Sequence, residues 1–340
     1  MDMYQKRKIR QEKNVNENAE EKKININWYP GHMAKTKKQI IEDLKLIDVI
    51  IEVLDARIPI SSQNPDVKQY SKNKKRVVIL NKADLADENE TKKWVKYFEN
   101  NEIPTVVTDA NSGKGINDVI KAVKKVYKEQ QEKFASKGRI GKSIRIMILG
   151  IPNVGKSSFI NRITKKNTAQ VGNRPGVTRQ KQWIRVDNEI ELMDTPGVLW
   201  PKFESQEVGM HLAFTGTIKD DILEKTEIAF ELVKFLCENY RTNIIERYKL
   251  DPKKVEELFN NDEKIINNDE LKENYEFDNC NLENYIDENS KFVSILDMIA
   301  KKRGAILSGG RIDYEKVSTI ILDEFRSGKI GKITIEKVEL

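Results

Sequence analysis

Ile144-Arg145-Ile146-Met147-Ile148-Leu149-Gly150-Ile151-Pro152-Asn153-Val154-Gly155-Lys156-Ser157-Ser158 reads as a strand, a glycine loop and the start of a helix. The loop fits G-x-x-x-x-G-K-[ST], whose glycines let backbone N–H groups curl around phosphate at a helix N-terminus. The context is the one this motif requires: an apolar, β-branched run before Gly150 and a helical pattern over 157–163. Asn153, Val154, Gly155, Lys156, Ser157 and Ser158 are the expected phosphate-binding residues. Lys156 would reach the β- and γ-phosphates and Ser157 would ligate Mg²⁺.

Further strands are expected at 49–54, 76–80, 105–107, 182–186 and 190–193, with helical patterns over 65–72, 90–99 and 116–134 between them. That alternation predicts an α/β fold, a mostly parallel six-stranded sheet with helices on both faces. Asn81-Lys82-Ala83-Asp84 closes the second strand and sits about seventy residues before the phosphate loop, the reverse of an ordinary GTPase. The domain is therefore expected to be a circularly permuted P-loop GTPase. The Asp84 carboxylate can accept from N1–H and the exocyclic amine of guanine. Adenine offers neither there, and the unmet charge costs several kcal/mol. Thr108-Asp109-Ala110 ends the third strand, and the backbone N–H groups of Asp109 and Ala110 are expected to complete the base pocket.

Asp194-Thr195-Pro196-Gly197 follows the last strand: Asp194 suits a water-mediated Mg²⁺ contact and the Gly197 N–H the γ-phosphate. Thr178, in Arg174-Pro175-Gly176-Val177-Thr178, is the expected switch threonine on Mg²⁺. Many GTPases place a water-orienting glutamine after the Asp-x-x-Gly motif, but here that place holds Val198. Topology supplies another group. The helix leading into the first strand starts near His32 and must run antiparallel to that strand. Its start then lies at the carboxyl edge of the sheet, where ligands bind, and a histidine there can polarise water at neutral pH. His211, set among apolar residues, reads as a packing residue. The Asn153 amide oxygen offers a site for a monovalent cation, K⁺, beside the phosphates.

Beyond residue 215 the pattern is helical, with Ile228, Leu232, Phe235 and Leu236 on one face and Phe292, Ile295, Leu296 and Ile299 on another. The expected organisation is a polar, disordered tail over 1–24, the GTPase domain over 25–215 and a helical domain over 216–340. A polar acidic insertion is expected near 260–289. Asp251-Pro252 reads as an N-cap and first-turn proline. The 340 residues carry a net charge of +6, which favours an anionic partner. Lys301, Lys302, Arg303, Arg311, Arg326, Lys329 and Lys332 could line a phosphate-facing surface or a solvated helix face. Two cysteines, Cys237 and Cys280, give no disulfide framework. No apolar run reaches the ~20 residues of a membrane span, and the first residues lack a secretory pattern. A cytoplasmic monomer is expected.

Taken together, Trp28-Tyr29-Pro30-Gly31-His32-Met33-Ala34-Lys35, Asp55-Ala56-Arg57-Ile58-Pro59, the Asn81 to Asp84 motif, the phosphate loop and Asp194-Thr195-Pro196-Gly197-Val198-Leu199-Trp200-Pro201 resemble the ribosome biogenesis GTPase A family. These are circularly permuted, YlqF-like GTPases of bacteria with a mitochondrial relative. The resemblance implies GTP hydrolysis coupled to late maturation of the large (50S) ribosomal subunit and stimulated by it. It also implies a catalytic role for His32 and a helical C-terminal domain touching ribosomal RNA, with ribosomal proteins nearby. The tail before Trp28 and the 260–289 stretch depart from the family pattern. A rival reading is a GTP-dependent module for binding RNA or protein, with incidental hydrolysis. A small-molecule kinase is disfavoured by Asp84 and by the lack of an acceptor pocket.

Overall fold

The computed structural model describes residues 32–70, 74–136, 143–164, 183–193, 205–218, 224–266 and 280–338. They form two compact units, one of residues 32–218 with 332–338 and one of residues 224–331. The expected GTPase domain thus gains the last few residues of the chain, which the sequence pattern had left with the helices.

In the first unit α1 (His32–Asp43) leads to β1 (Val49–Asp55), followed by α2 (Pro65–Tyr70), β2 (Lys75–Asn81), α3 (Glu88–Asn100), β3 (Thr105–Val107) and α4 (Ile116–Ala135). Then come β4 (Ile144–Leu149), α5 (Lys156–Thr164), β5 (Trp183–Arg185), β6 (Ile190–Met193) and α6 (Gln206–Phe214). The six-stranded sheet has the order β3-β2-β1-β4-β6-β5. Every pair is parallel except β5 with β6. All seven residues of β1 are buried, as expected of a central parallel strand covered on both faces. On one face Ile40 and Leu44, with Ile47 just before β1, pack with Ile50, Met147, Leu149 and Met193. Further along the same face, Trp94 and Phe98 of α3 pack with Leu54, Val78 and Leu80. Two helices are well capped: the Asp87 side chain accepts from Asn89 N and Glu90 N, and Ser205 accepts from Val208 N. Such caps are each worth about 1 kcal/mol.

The second unit is helical: α7 (Lys225–Asn239), α8 (Arg241–Tyr248), α9 (Pro252–Ile266), α10 (Cys280–Arg303) and α11 (Tyr314–Arg326). Its core buries Leu232 and Leu236 of α7, Phe292, Ile295 and Ile299 of α10, and Val317, Ile321 and Phe325 of α11, with Phe230 edge-on to Phe292. Asp251 Oδ1 accepts from Lys253 N at 3.0 Å, so the Asp-Pro pair opens α9 as its chemistry predicts. Helices α9 and α10 extend into the acidic stretch from both sides, so 260–266 and 280–289 are helical; 267–279 lie outside the described residues. Glu324 accepts from Arg247 at 2.8 and 2.9 Å and from Arg303 at 3.0 Å. That claims Arg303 for a structural ion pair, whereas Lys301, Lys302, Arg311 and Lys329 are exposed. Lys332 belongs to the first unit. Burial pushes the Cys237 thiol up to about 12, so it behaves as a small apolar residue. Among the described residues no helix is long and apolar enough to cross a membrane.

Candidate functional site

The parallel register brings the ends of β1, β2 and β4 to one edge of the sheet, since Asp55 pairs with Asn81 and Glu52 with Leu149. Three loops leave that edge, and the buried Asn81 ties them together. Its Nδ2 donates to Val154 O of the phosphate loop at 2.8 Å. Its Oδ1 accepts from Thr108 Oγ1 at 3.1 Å and from Ala110 N at 3.0 Å. One side chain therefore joins the phosphate loop, the guanine motif and the third loop, although these lie far apart and in reordered sequence positions.

The glycines explain how closely the loops approach. Gly155 has φ +94, and a Cβ there would collide with Asn81 Nδ2. A Cβ on Gly150 would sit 2.6 Å from Val53 O of β1. Both positions need glycine for space, and Gly155 for its backbone as well. Lys156 is buried at the start of α5, its Nζ donating to Ile151 O at 2.9 Å across the loop. Ser157 and Ser158 follow it on the exposed side of the first turn. Asn153 stands exposed at φ 62, and its Nδ2 donates to Gly216 O at 2.8 Å.

The guanine motif is held from below by a buried charge cluster. Asp55 accepts from Arg57 Nε at 3.0 Å and Nη2 at 2.8 Å, and pairs with Lys82 Nζ at 3.0 Å. Burial pushes the Asp55 pKa up, but the two cations outweigh it and hold the carboxyl well below the usual range. Lys82 itself has φ 60, a left-handed conformation that a non-glycine residue keeps only when its surroundings fix it. A pH dependence follows. A depressed carboxyl contributes stability that is complete above its unfolded value near 4 and is lost as pH falls below it. Urea midpoints measured from pH 6 to pH 3 are expected to fall, and the part of that slope due to Asp55 is expected to vanish in Asp55→Asn. An identical slope in the variant would count against the ion cluster.

Asp84 lies at the exposed outer end of the motif. Its pKa is raised, first by partial burial and then by the negative charge of Asp109. Burial also pushes Asp109 upward, but hydrogen bonds from Ser112 and Asn111 outweigh it and keep that group ionised. This outer end of the motif, with Asp84 beside Asp109, is thus electronegative and suits a ligand edge made of N–H donors. The N–H groups of the third loop carry structural bonds, Ala110 N to Asn81 Oδ1 and Asp109 N to Lys114 O. Framing the loop is accordingly their first role.

Thr178, Asp194 and Gly197 lie outside the described residues, as do Trp28, Tyr29 and Pro30. His32 is the first residue of α1, whose backbone is described while its side chain is not. His211 makes polar contacts unforeseen from its apolar neighbours in sequence. Its Nδ1 lies 3.0 Å from Ser61 Oγ and 3.2 Å from Glu336 Oε1. Glu336 also accepts from Ile60 N at 2.6 Å and Ser61 N at 2.8 Å. Within 332–338 the short Ile333-Thr334-Ile335 alternation is the one local trace of this attachment.

The profile of a family described as 50S ribosome-binding GTPase matches residues 145–267. Ribosome biogenesis GTPase A of Bacillus cereus is 43% identical over 316 residues, covering 92% of this chain and 94% of that protein. The protein of the same name from Bacillus licheniformis is 42% identical, covering 92% and 99%. Among solved structures, GDP-bound YlqF superposes with a TM-score of 0.58 at 23% identity, covering 88% of this chain and 98% of that one. That likeness supports the permuted fold.

Proposed function

This chain belongs to the ribosome biogenesis GTPase A family and hydrolyses GTP, and we propose that it is an assembly factor for the large ribosomal subunit. In this reading it binds 50S precursors in its GTP form late in their maturation and leaves when the subunit stimulates hydrolysis. It acts in the cytoplasm as a monomer, and the helical unit meets ribosomal RNA and neighbouring ribosomal proteins through Lys301, Lys302, Arg311 and Lys329. The observation that carries the reading is the junction at Asn81, where base-reading and phosphate-binding loops meet.

The residues divide the work. Asp84 reads the base, with Asn81, Lys82 and Ala83 holding it at the sheet edge and Asp109 and Ala110 closing the loop beside it. Val154, Gly155, Lys156 and Ser158 wrap the phosphates, and Gly197 N–H senses the γ-phosphate. Ser157 and Thr178 suit Mg²⁺ as hydroxyl donors, with Asp194 behind a water, and the exposed place of Ser157 next to Lys156 fits that role. Held there, Mg²⁺ would supply positive charge against the phosphate oxygens. Asn153 commits its Nδ2 to Gly216, which turns its Oδ1 toward the acceptor role a K⁺ ion needs. Turnover is therefore expected to be faster in potassium than in sodium, and equal rates would remove the cation from the scheme.

The deciding experiment is co-sedimentation with large ribosomal particles in a non-hydrolysable GTP analogue and in GDP, alongside turnover with and without subunits. Binding only with the analogue, together with stimulated turnover, is the expected result. Nucleotide-dependent binding without stimulation would instead favour the capture module.

A further inference from the structure

The segment 332–338 belongs to the nucleotide unit, yet the scheme above gives it no task. It comes directly from the helical unit. Ile330 O is held by Asn243 Nδ2 at 3.2 Å, and only Gly331 and Lys332 separate Ile330 from Ile333. Ile333 N then donates to Leu85 O at 2.9 Å, the residue immediately after Asp84. Thr334 is fully buried, and its Oγ1 accepts from Asp87 N at 3.0 Å. Ile335 N donates to Arg57 O at 2.8 Å. The Glu336 carboxylate takes Ile60 N and Ser61 N, while Glu336 O accepts from Trp94 Nε1 at 2.9 Å.

These bonds fall on both sides of the guanine motif. Leu85 and Asp87 continue the turn that carries Asp84. Arg57 grips Asp55, which pairs with Lys82. A turn at the solvent edge, with a non-glycine residue at positive φ, opens at low free energy unless something pins it. The pinning here comes from outside the local sequence.

We propose that Thr334 and Glu336 are positioning residues for the guanine-reading turn, and that residues 332–338 set how long a guanine nucleotide stays bound. This rests on the reading of Asn81 to Asp84 as the guanine motif. The incoming connection is placed in a comparable way, since Gly216, two residues before Ile218, accepts from Asn153 of the phosphate loop. Each covalent link to the helical unit is therefore bonded to a nucleotide loop. Force on that unit has a route through the chain to both ends of the nucleotide.

The test uses the full chain and stopped-flow release of a fluorescent GDP chased with unlabelled GDP. Thr334→Val removes the hydroxyl while nearly keeping the shape, Thr334→Ser restores it, and Glu336→Gln removes the charge. Loss of one buried hydrogen bond, roughly 1 kcal/mol, corresponds to release about fivefold faster in Thr334→Val and in Glu336→Gln, with Thr334→Ser near the wild-type rate. Folded fraction is read by circular dichroism. If Thr334→Val does not fold, the rate in Glu336→Gln decides. Wild-type release from folded variants, or Ser as fast as Val, overturns the proposal. Asp84→Asn run in parallel separates the premises. If it keeps wild-type GDP affinity, the motif reading fails. If it loses GDP while the 334 and 336 variants release normally, only the positioning role fails.

Discussion

Asp84→Asn is expected to lower affinity for GTP and GDP by roughly two to four orders of magnitude and to transfer preference to xanthosine nucleotides. The carboxylate accepts two N–H donors from guanine, and hydrogen bonds to a charged group are worth about 1.5–3 kcal/mol each. An asparagine keeps one acceptor but places an NH₂ against the guanine amine, so one bond is lost and a donor faces a donor. Xanthine carries a carbonyl at that position and restores the match. The charge should also show itself in pH. The free Asp84 carboxyl is shifted up by partial burial and by Asp109, and only its ionised form accepts both bonds. GDP affinity is thus expected to begin falling above the ordinary aspartate value near 4 as pH is lowered. Fluorescence titration with labelled GDP and XDP checks both points. A variant that still prefers GDP would mean that Asp84 does not read the base.

The sheet was readable because a strand buried on both faces must be mostly apolar: β1 and β4 obey that rule apart from Glu52, Asp55 and Arg145, and β2 obeys it over Val77 to Leu80. The candidate motifs stood out because phosphate and guanine recognition call for specific residue types at short, local spacings, and Asn81 joins the loops after β2, β3 and β4. Thr108 takes part through its hydroxyl, which donates to Asn81 Oδ1. The attachment of 332–338 could not be read in this way. Its partners Arg57, Leu85 and Asp87 lie roughly 250 to 280 residues upstream, and hydrogen bonds to backbone atoms leave no mark on a partner's side chain. His211 illustrates the same limit. Val208, Met210, Leu212 and Ala213 surround it in sequence, yet in space its ring meets Ser61 and Glu336. Local hydropathy describes an element's face, and it is silent about one polar atom on that face.

His32→Ala is expected to leave GTP affinity within about twofold of wild type while cutting turnover by roughly 10²–10⁴-fold, the usual contribution of a positioned acid–base group. Helix α1 has 12 residues and so spans about 18 Å, close to the ~23 Å of the seven-residue β1 that follows. Ile40 seats its later part and Leu44, just past its end, the following turn on the sheet, and the chain then enters β1 at Val49. The helix must run back along the strand, which carries its first residue toward the edge where Gly150 and Asn81 lie. In an unpermuted chain the segment after the Asp-x-x-Gly motif would lead into this helix. Val198 cannot orient a water, so that group is expected from another segment, and α1, which opens with His32, is the candidate by this topology. His32→Gln separates two ways of handling water: a side chain that only orients it would be partly replaced by glutamine, whereas one that must accept a proton would not. Turnover at saturating GTP, with and without large subunits, gives the answer. Unchanged rates in His32→Ala under both conditions would take His32 out of the reaction and leave the water to a residue supplied by the ribosome.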